Sequence, residues 1–437
     1  MAVESTLWFI VGVLALVVGL GVSIALHEWG HYAPAKRFGV AISKFMVGFG
    51  PTLWSTRRGE TEFGIKAIPL GGYVAMQGMF APSERKRRGG SGTDFAAAVE
   101  PEAEGEEVDP SRSFYRLSIP KRIVVMLGGP VMNLIIAAVL YTVLLTGFGL
   151  VQPSLTVGSV SECVVSQSEV RDTCQPGDPA SPGYQAGVLP GDKIVAIDGV
   201  AVDSWLEMTE IVRSNPGVTL DLVVEREGVI TNLRITPMLT ERYAIDERGE
   251  VLLDDGEPVF QQVGFVGIGS TLDTVRQPVT AVPEVVWGNI EGVARVIWTL
   301  PERMVQVSQA AFGQDERDPN GPISVVGVGR IAGEIASIDS IDPTDRVASF
   351  LALLASLNIA LFVFNLIPLL PLDGGHVAVA LIDGLRRRMA TIRGQPEPHP
   401  MNPQRLMPLT LVVVAVLISM SVLLMYADIV NPISLIQ

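Results

Sequence analysis

Four uncharged apolar runs restrict what this chain can fold into. Leu7–Leu26, Ile123–Val151, Val347–Leu372 and Leu406–Tyr426 contain no Asp, Glu, Lys or Arg, and each reaches the roughly 20 residues that a helix needs to cross a bilayer. Hydrocarbon offers no partner to backbone N–H and C=O groups, so such runs must satisfy their hydrogen bonds within themselves, as helices. The expected class is an α-helical polytopic membrane protein with four transmembrane helices. The first run has no basic segment before it and no small-residue cleavage site after it, so it reads as a retained span and not as a signal peptide. A net charge of −14 argues against a nucleic-acid partner, which would require basic patches.

The loops set the orientation. The loop after the first run carries fourteen Lys and Arg, from Lys36 to Arg122, and the loop after the third carries Arg386, Arg387, Arg388, Arg393 and Arg405. Both are expected on the cytoplasmic side by the positive-inside rule. Residues 152–346 hold 30 Asp and Glu against 13 Lys and Arg. They are expected outside the cytoplasm, as are both termini, in a plasma or inner membrane.

The first run ends on His27-Glu28-Trp29-Gly30-His31. Residues four apart share one face of a helix, so His27 and His31 can offer two imidazoles to one metal ion, with Glu28 beside them to take a proton from water. Two of the chain's four histidines lie at the edge of an apolar run, where ionisable groups are costly and therefore point to function. A zinc site with two histidines still needs a third protein ligand. The spans alternate in direction, so the first and third end on the same side. The third ends in Asn365-Leu366-Ile367-Pro368-Leu369-Leu370-Pro371-Leu372-Asp373-Gly374-Gly375-His376. This parity puts Asp373 at the right depth to complete the set.

Between the spans, residues 40–76 read as a β-hairpin turning at Arg57-Arg58-Gly59-Glu60, with glycines at Gly48, Gly50, Gly71 and Gly72 that suit backbone dipping into the membrane edge. Residues 81–113 run basic, Gly/Ser-rich and then acidic, a disordered composition. Outside, Leu155–Val160 is strand-like, Leu206–Arg213 amphipathic, and Thr219–Glu225 and Ile230–Thr236 alternate as strands. A polar insertion is expected over Arg242–Gln262, with a closing strand at Val263–Ile268. Val282–Phe312 has helical periodicity and suits either a membrane-surface helix or a packing helix. Cys163 and Cys174 both fall in this outer part, where an oxidising compartment favours a disulfide. His376 lies one turn beyond Asp373, and His399, among prolines, is expected to be solvated.

Two motifs carry a resemblance. The stretch from Ala186 to Gly199, with Gly191-Asp192-Lys193-Ile194, resembles a PDZ domain. His27-Glu28-x-x-His31 on a first span, Leu372-Asp373-Gly374 on a later one and a PDZ-like domain between them resemble the site-2 protease family of zinc intramembrane metalloproteases, in its RseP-like bacterial group. Gly128-Gly129-Pro130-Val131-Met132-Asn133 and Asn365-x-x-Pro368 also match. A single PDZ-like domain departs from members with two tandem copies and is similar to actinobacterial relatives.

The resemblance implies Zn²⁺ on His27, His31 and Asp373, Glu28 as catalytic base, and Asn365 and Asn133 on substrate. Helix packing is the alternative reading for both asparagines. It implies as substrates single-span membrane proteins already trimmed outside, such as anti-sigma factors, with peptide ends at the PDZ-like domain. Zinc transport and an inactive PDZ membrane scaffold are the competing functions. Transporters carry polar groups along several spans, whereas here they cluster at one depth, and an intact Glu28 is unnecessary to a scaffold.

The expected division is residues 1–38, first span with the His pair; 39–80, membrane-associated β-hairpin; 81–118, disordered cytoplasmic loop; 119–151, second span; 152–270, extracytoplasmic α/β PDZ-like domain; 271–346, interfacial helical segment; 347–376, third span; 377–405, cytoplasmic loop; and 406–437, fourth span and C-terminus.

Overall fold

The structure is a computed structural model that describes residues 2–79, 110–166, 173–245, 251–254, 257–313, 317–318, 321–338, 341–396, 398 and 406–433. Two units are present, one of residues 1–148 with 278–437 and one of residues 149–277.

In the first unit the helices are α1 (Ala2–Arg37), α2 (Ile119–Val143), α3 (Val282–Trp298), α4 (Leu300–Phe312), α5 (Val325–Ser337), α6 (Pro343–Asn365), α7 (Asp373–Ile392) and α8 (Met407–Val430). Four of them, α1, α2, α6 and α8, are long and apolar enough to cross a membrane. Such helices gain little from burying apolar surface against one another, because lipid is equally apolar. Close packing and polar links between helices hold them instead. At one crossing of α1 and α2, a Cβ added to Gly128 would lie 1.9 Å from the Gly30 carbonyl oxygen. Asn358 of α6, fully buried, donates to Ser23 Oγ of α1 at 3.0 Å. Buried Arg122 of α2 reaches Asp383 of α7 at 3.2 Å.

Strands β1 (Ile42–Arg58) and β2 (Thr61–Met76) pair antiparallel across a turn at Gly59-Glu60. Lys44–Val47 of β1 pairs with both Glu62–Ile65 and Gly72–Ala75 of β2, so the two long strands curl into four short rungs. Glu60 receives Arg112 in a bidentate bond at 2.7 and 2.8 Å and is also bonded by Lys36, tying the turn to the end of α1.

Four expectations are corrected. The third span does not run to residue 376. It begins at Pro343 and stops at Asn365, because Pro368 and Pro371 lack the N–H needed to continue a helix. Residues 377–405 are not simply a loop, since α7 occupies them as far as Ile392. The linker expectation over 81–118 fails at its end: Pro110–Arg112 and Phe114–Arg116 are helical turns with Phe114 buried. The remainder of that linker, residues 81–109, lies outside the described residues. The periodic segment 282–312 is two helices, broken at Thr299 ahead of Pro301.

The second unit is built on an antiparallel sheet. Its strands are β3 (Leu150–Val160), β4 (Lys193–Ile197), β5 (Leu220–Arg226), β6 (Val229–Ile235), β7 (Met238–Tyr243), β8 (Phe260–Phe265) and β9 (Ile268–Val275). The main sheet has the order β9-β3-β4-β5-β6, and β7 pairs with β8 beside it. The expected closing strand is therefore split: Val263 pairs within the β7–β8 ladder, and β9 closes against β3. Met208 and Val212, from the helix Trp205–Ser214, meet Val157, Ile194, Leu222 and Val224 of the sheet in the core. Cys163 and Cys174 form a disulfide with Cα atoms 5.8 Å apart.

The Gly191-Asp192 turn has a physical explanation. Gly191 adopts φ +95°, open to glycine at little cost. Asp192, 1% exposed, accepts from Leu189 N at 2.9 Å and from Arg226 Nε and Nη2 at 2.7 Å each. The Arg226 guanidinium is the main cause that holds the Asp192 carboxyl below the ordinary aspartate value of 3.8. Its stabilisation is therefore complete above that value and is lost as pH falls through the depressed one. Arg226→Met leaves a buried carboxylate without its partner, at a cost of about 2 kcal/mol. Amide hydrogen exchange across residues 149–277 of the full chain is expected to quicken by about 30-fold at neutral pH, and the difference from wild type to shrink in acid.

Candidate metal centre

Near its C-terminal end α1 places His27 and His31 on one face, one turn apart. Asp373, in the opening turn of α7, meets them there. The Asp373 Oδ2 atom lies 3.4 Å from His27 Nε2 and 3.3 Å from His31 Nε2, and the two imidazole nitrogens are 3.2 Å apart. Donor atoms placed 2.0–2.1 Å from a tetrahedral zinc ion stand ~3.3–3.4 Å from one another, so the triangle has the size that such an ion requires. Asp373 Oδ2 is buried with no hydrogen-bond donor on it, which a cation would correct. The two-nitrogen, one-oxygen donor set leaves a fourth position for water or substrate. Among the described residues, this is the one group of three His, Cys, Asp or Glu side chains placed to hold a metal.

Neighbouring groups aim the imidazoles. His31 Nδ1 donates to the Val125 carbonyl at 2.8 Å, which leaves its Nε2 lone pair facing the site. His27 Nδ1 stands 3.1 Å from the Asn133 side-chain amide, whose Oδ1 is buried without a partner. A half-turn of that amide lets Oδ1 accept from His27 Nδ1–H and frees Nε2 in the same way. Asn133 is only 1% exposed. The contact that the structure gives its side chain is the one to His27.

Glycine makes the approach possible. A Cβ on Gly129 would fall 2.2 Å from His31 Nε2 and 2.7 Å from His27 Nε2, so the α2 backbone itself walls the site. Glu28 is 7% exposed and packs on β2, where a Cβ at Gly72 would lie 2.8 Å from its Cγ. Asn365 ends α6 half-buried, and no hydrogen bond among the described residues joins it to His27, Glu28, His31 or Asp373. His376 lies within electrostatic reach of Asp373, His31 and Arg122. His399 lies outside the described residues.

Sequence reasoning singled out Gly129 and Gly72 without the imidazoles and Glu28 that they pack against, and it missed the Val125 carbonyl and the Arg122–Asp383 pair that fixes α7 on α2. A glycine pair inside an apolar span is a signal for close approach, and buried Asp383 follows Asp373 by ten residues in a helix rich in arginine. Neither signal names a partner.

The family profile described as "Peptidase family M50" matches residues 15–396. The zinc metalloprotease Rip1 of Mycobacterium tuberculosis is 35% identical over 98% of this chain and 100% of its own length. Rip1 of Mycolicibacterium smegmatis is 33% identical over the same shares. The zinc metalloprotease RasP of Oceanobacillus iheyensis is 25% identical over 86% of this chain and 91% of its own.

Gly129→Ala is expected to push a methyl group onto the imidazole nitrogens and to cut zinc content, read by metal analysis of purified protein, to under about a tenth of wild type. Gly21→Ala, in open space on the same span as the histidines, is expected to keep it.

Proposed function

The chain belongs to peptidase family M50, and with that as premise we propose how its residues carry out intramembrane proteolysis and on what. It is a zinc metalloprotease of the membrane. The proposal assigns the ion to His27, His31 and Asp373, carried by one observation: three side chains from opposite ends of the sequence converge with edges of 3.2, 3.3 and 3.4 Å beside a buried glutamate. When bound, zinc lowers the pKa of water towards neutrality and polarises the scissile carbonyl. Glu28 takes the proton of the attacking water and passes it to the leaving amine. Gly72 packs against Glu28, and the rung Gly72–Ala75 is paired with β1 along one side. An extended substrate strand added along the other side would lie next to the base. This gives β1–β2 the part of a membrane-associated hairpin. Asn133 holds the orientation of His27, and Asn365 holds substrate backbone at the end of α6.

Substrates on this reading are single-span membrane proteins trimmed outside, such as anti-sigma factors. The unit 149–277 acts as an extracytoplasmic PDZ-like domain that accepts peptide or substrate ends. The basic loops, cytoplasmic by charge, put the site near the inner face of the membrane and both termini outside.

Glu28→Gln is expected to keep full zinc occupancy while slowing cleavage of a purified single-span substrate by at least about a hundredfold. Equal cleavage by both proteins would remove Glu28 from the chemistry. Asn133→Ala is expected to weaken zinc affinity by about 10–100-fold in competition with a chelator, and an unchanged affinity would end its positioning role.

A further inference from the structure

A groove of about 540 Å³ runs beside the first span, away from the metal-site residues. Phe9, Val13, Leu16 and Leu20 line it from α1, facing Val326 and Gly329 of α5. These α1 positions recur every three or four residues on one face. The same spacing carried two and three turns further arrives at His27 and His31. Pro69 of β2 also borders the groove, and Gly72, three residues on, packs against Glu28. The groove therefore points along α1, and the β2 strand leads from it to the base.

Glycine use on α5 is the second observation. A Cβ on Gly327 would lie 2.5 Å from Asp428 Oδ2, and one on Gly333 would lie 2.5 Å from the Phe9 ring, so packing demands glycine at both. At Gly329 an added Cβ would meet nothing within 4 Å. Packing within the chain does not require glycine there, and its effect is to keep the groove clear. Arg330 and Glu334 on the rim neutralise each other at 2.9 Å, which leaves the wall without net charge and suited to an uncharged occupant.

We propose that this groove receives the transmembrane helix of the substrate, a deepening of the proteolytic reading on which it rests. Phe9 to Leu20 covers ~16 Å of helix axis, room for about 11 helical residues of the substrate. From Leu20 to His27 is ~10 Å more, a gap crossed by about three residues once extended along β2. The substrate is held helical in the groove, unwinds at Pro69 and is cut about three residues beyond its last helical turn.

The test compares Gly329→Trp, which fills the groove, with Gly288→Trp, also in open space but on α3. Gly329→Trp is expected to raise KM for a purified single-span substrate at least about tenfold at unchanged zinc content, with Gly288→Trp matching wild type. A wild-type KM in Gly329→Trp overturns the groove. Should Gly329→Trp fail to fold, Gly329→Cys in the Glu28→Gln protein gives a second readout, because both native cysteines are in a disulfide. Cross-linking to cysteines placed along the substrate helix is expected at every third or fourth position. No cross-link, with lipid alone in the groove, overturns the proposal. Cross-linking by a protein whose wild type cuts no single-span substrate keeps the groove and overturns the proteolytic reading instead.

Discussion

The site depends on how closely two backbones approach. At Gly30 and Gly128 the first two spans meet with no side chain between them, and one residue further Gly129 lies against both imidazoles. In a bilayer, contacts of this kind replace the hydrophobic drive that holds a soluble core together. They also fix depth: once α1 and α2 are locked at this crossing, the Val125 carbonyl is in place for His31 and Asn133 for His27. Any larger residue at the crossing moves both partners at once.

The candidate ligands were the most legible part of the sequence, for reasons that differ. His27 and His31 are read from one helical period, a local property. Asp373 was reached from the parity of the spans, a global one, and the structure brings its carboxylate to 3.3 Å from His31. What carries Asp373 was not legible. It was expected on the third span, but it opens a separate helix after a turn enforced by Pro368 and Pro371. Arginines among the apolar residues of α7 disguised that helix as a loop. Asn133 was visible as a residue, but its partner was not, because that contact joins positions 106 apart. The bounds of α5, inside the segment 271–346 expected to be helical, were not read for a similar reason: its glycines lower helix propensity and make sense only against Phe9 and Asp428, far away in sequence.

Among the described residues, two Arg–Asp pairs with both side chains buried tie together distant parts of the first unit. Arg122–Asp383 holds α7 on α2, and Arg317–Asp428 joins the end of α8 to the chain just before α5. Burying both partners gains little over apolar packing, yet losing one partner is severe because the other charge is left uncompensated. The first pair sets where α7 begins, and so where the Asp373 carboxylate sits. The second also takes a backbone N–H, from Ser324 to Asp428 at 2.6 Å, just ahead of the helix that walls the groove.

The candidate ligands are widely separated along the chain, with about 340 residues between His31 and Asp373. A ribosome adding 5–20 residues per second makes the histidine pair tens of seconds before the aspartate exists. The α1–α2 crossing needs only residues made early, so it can form while the remainder of the chain is still being inserted. During that interval the nascent protein holds two of three donors and a glutamate with nothing to activate. Placing the last donor late in the message keeps the three donors from meeting until three of the four membrane-length helices have been made.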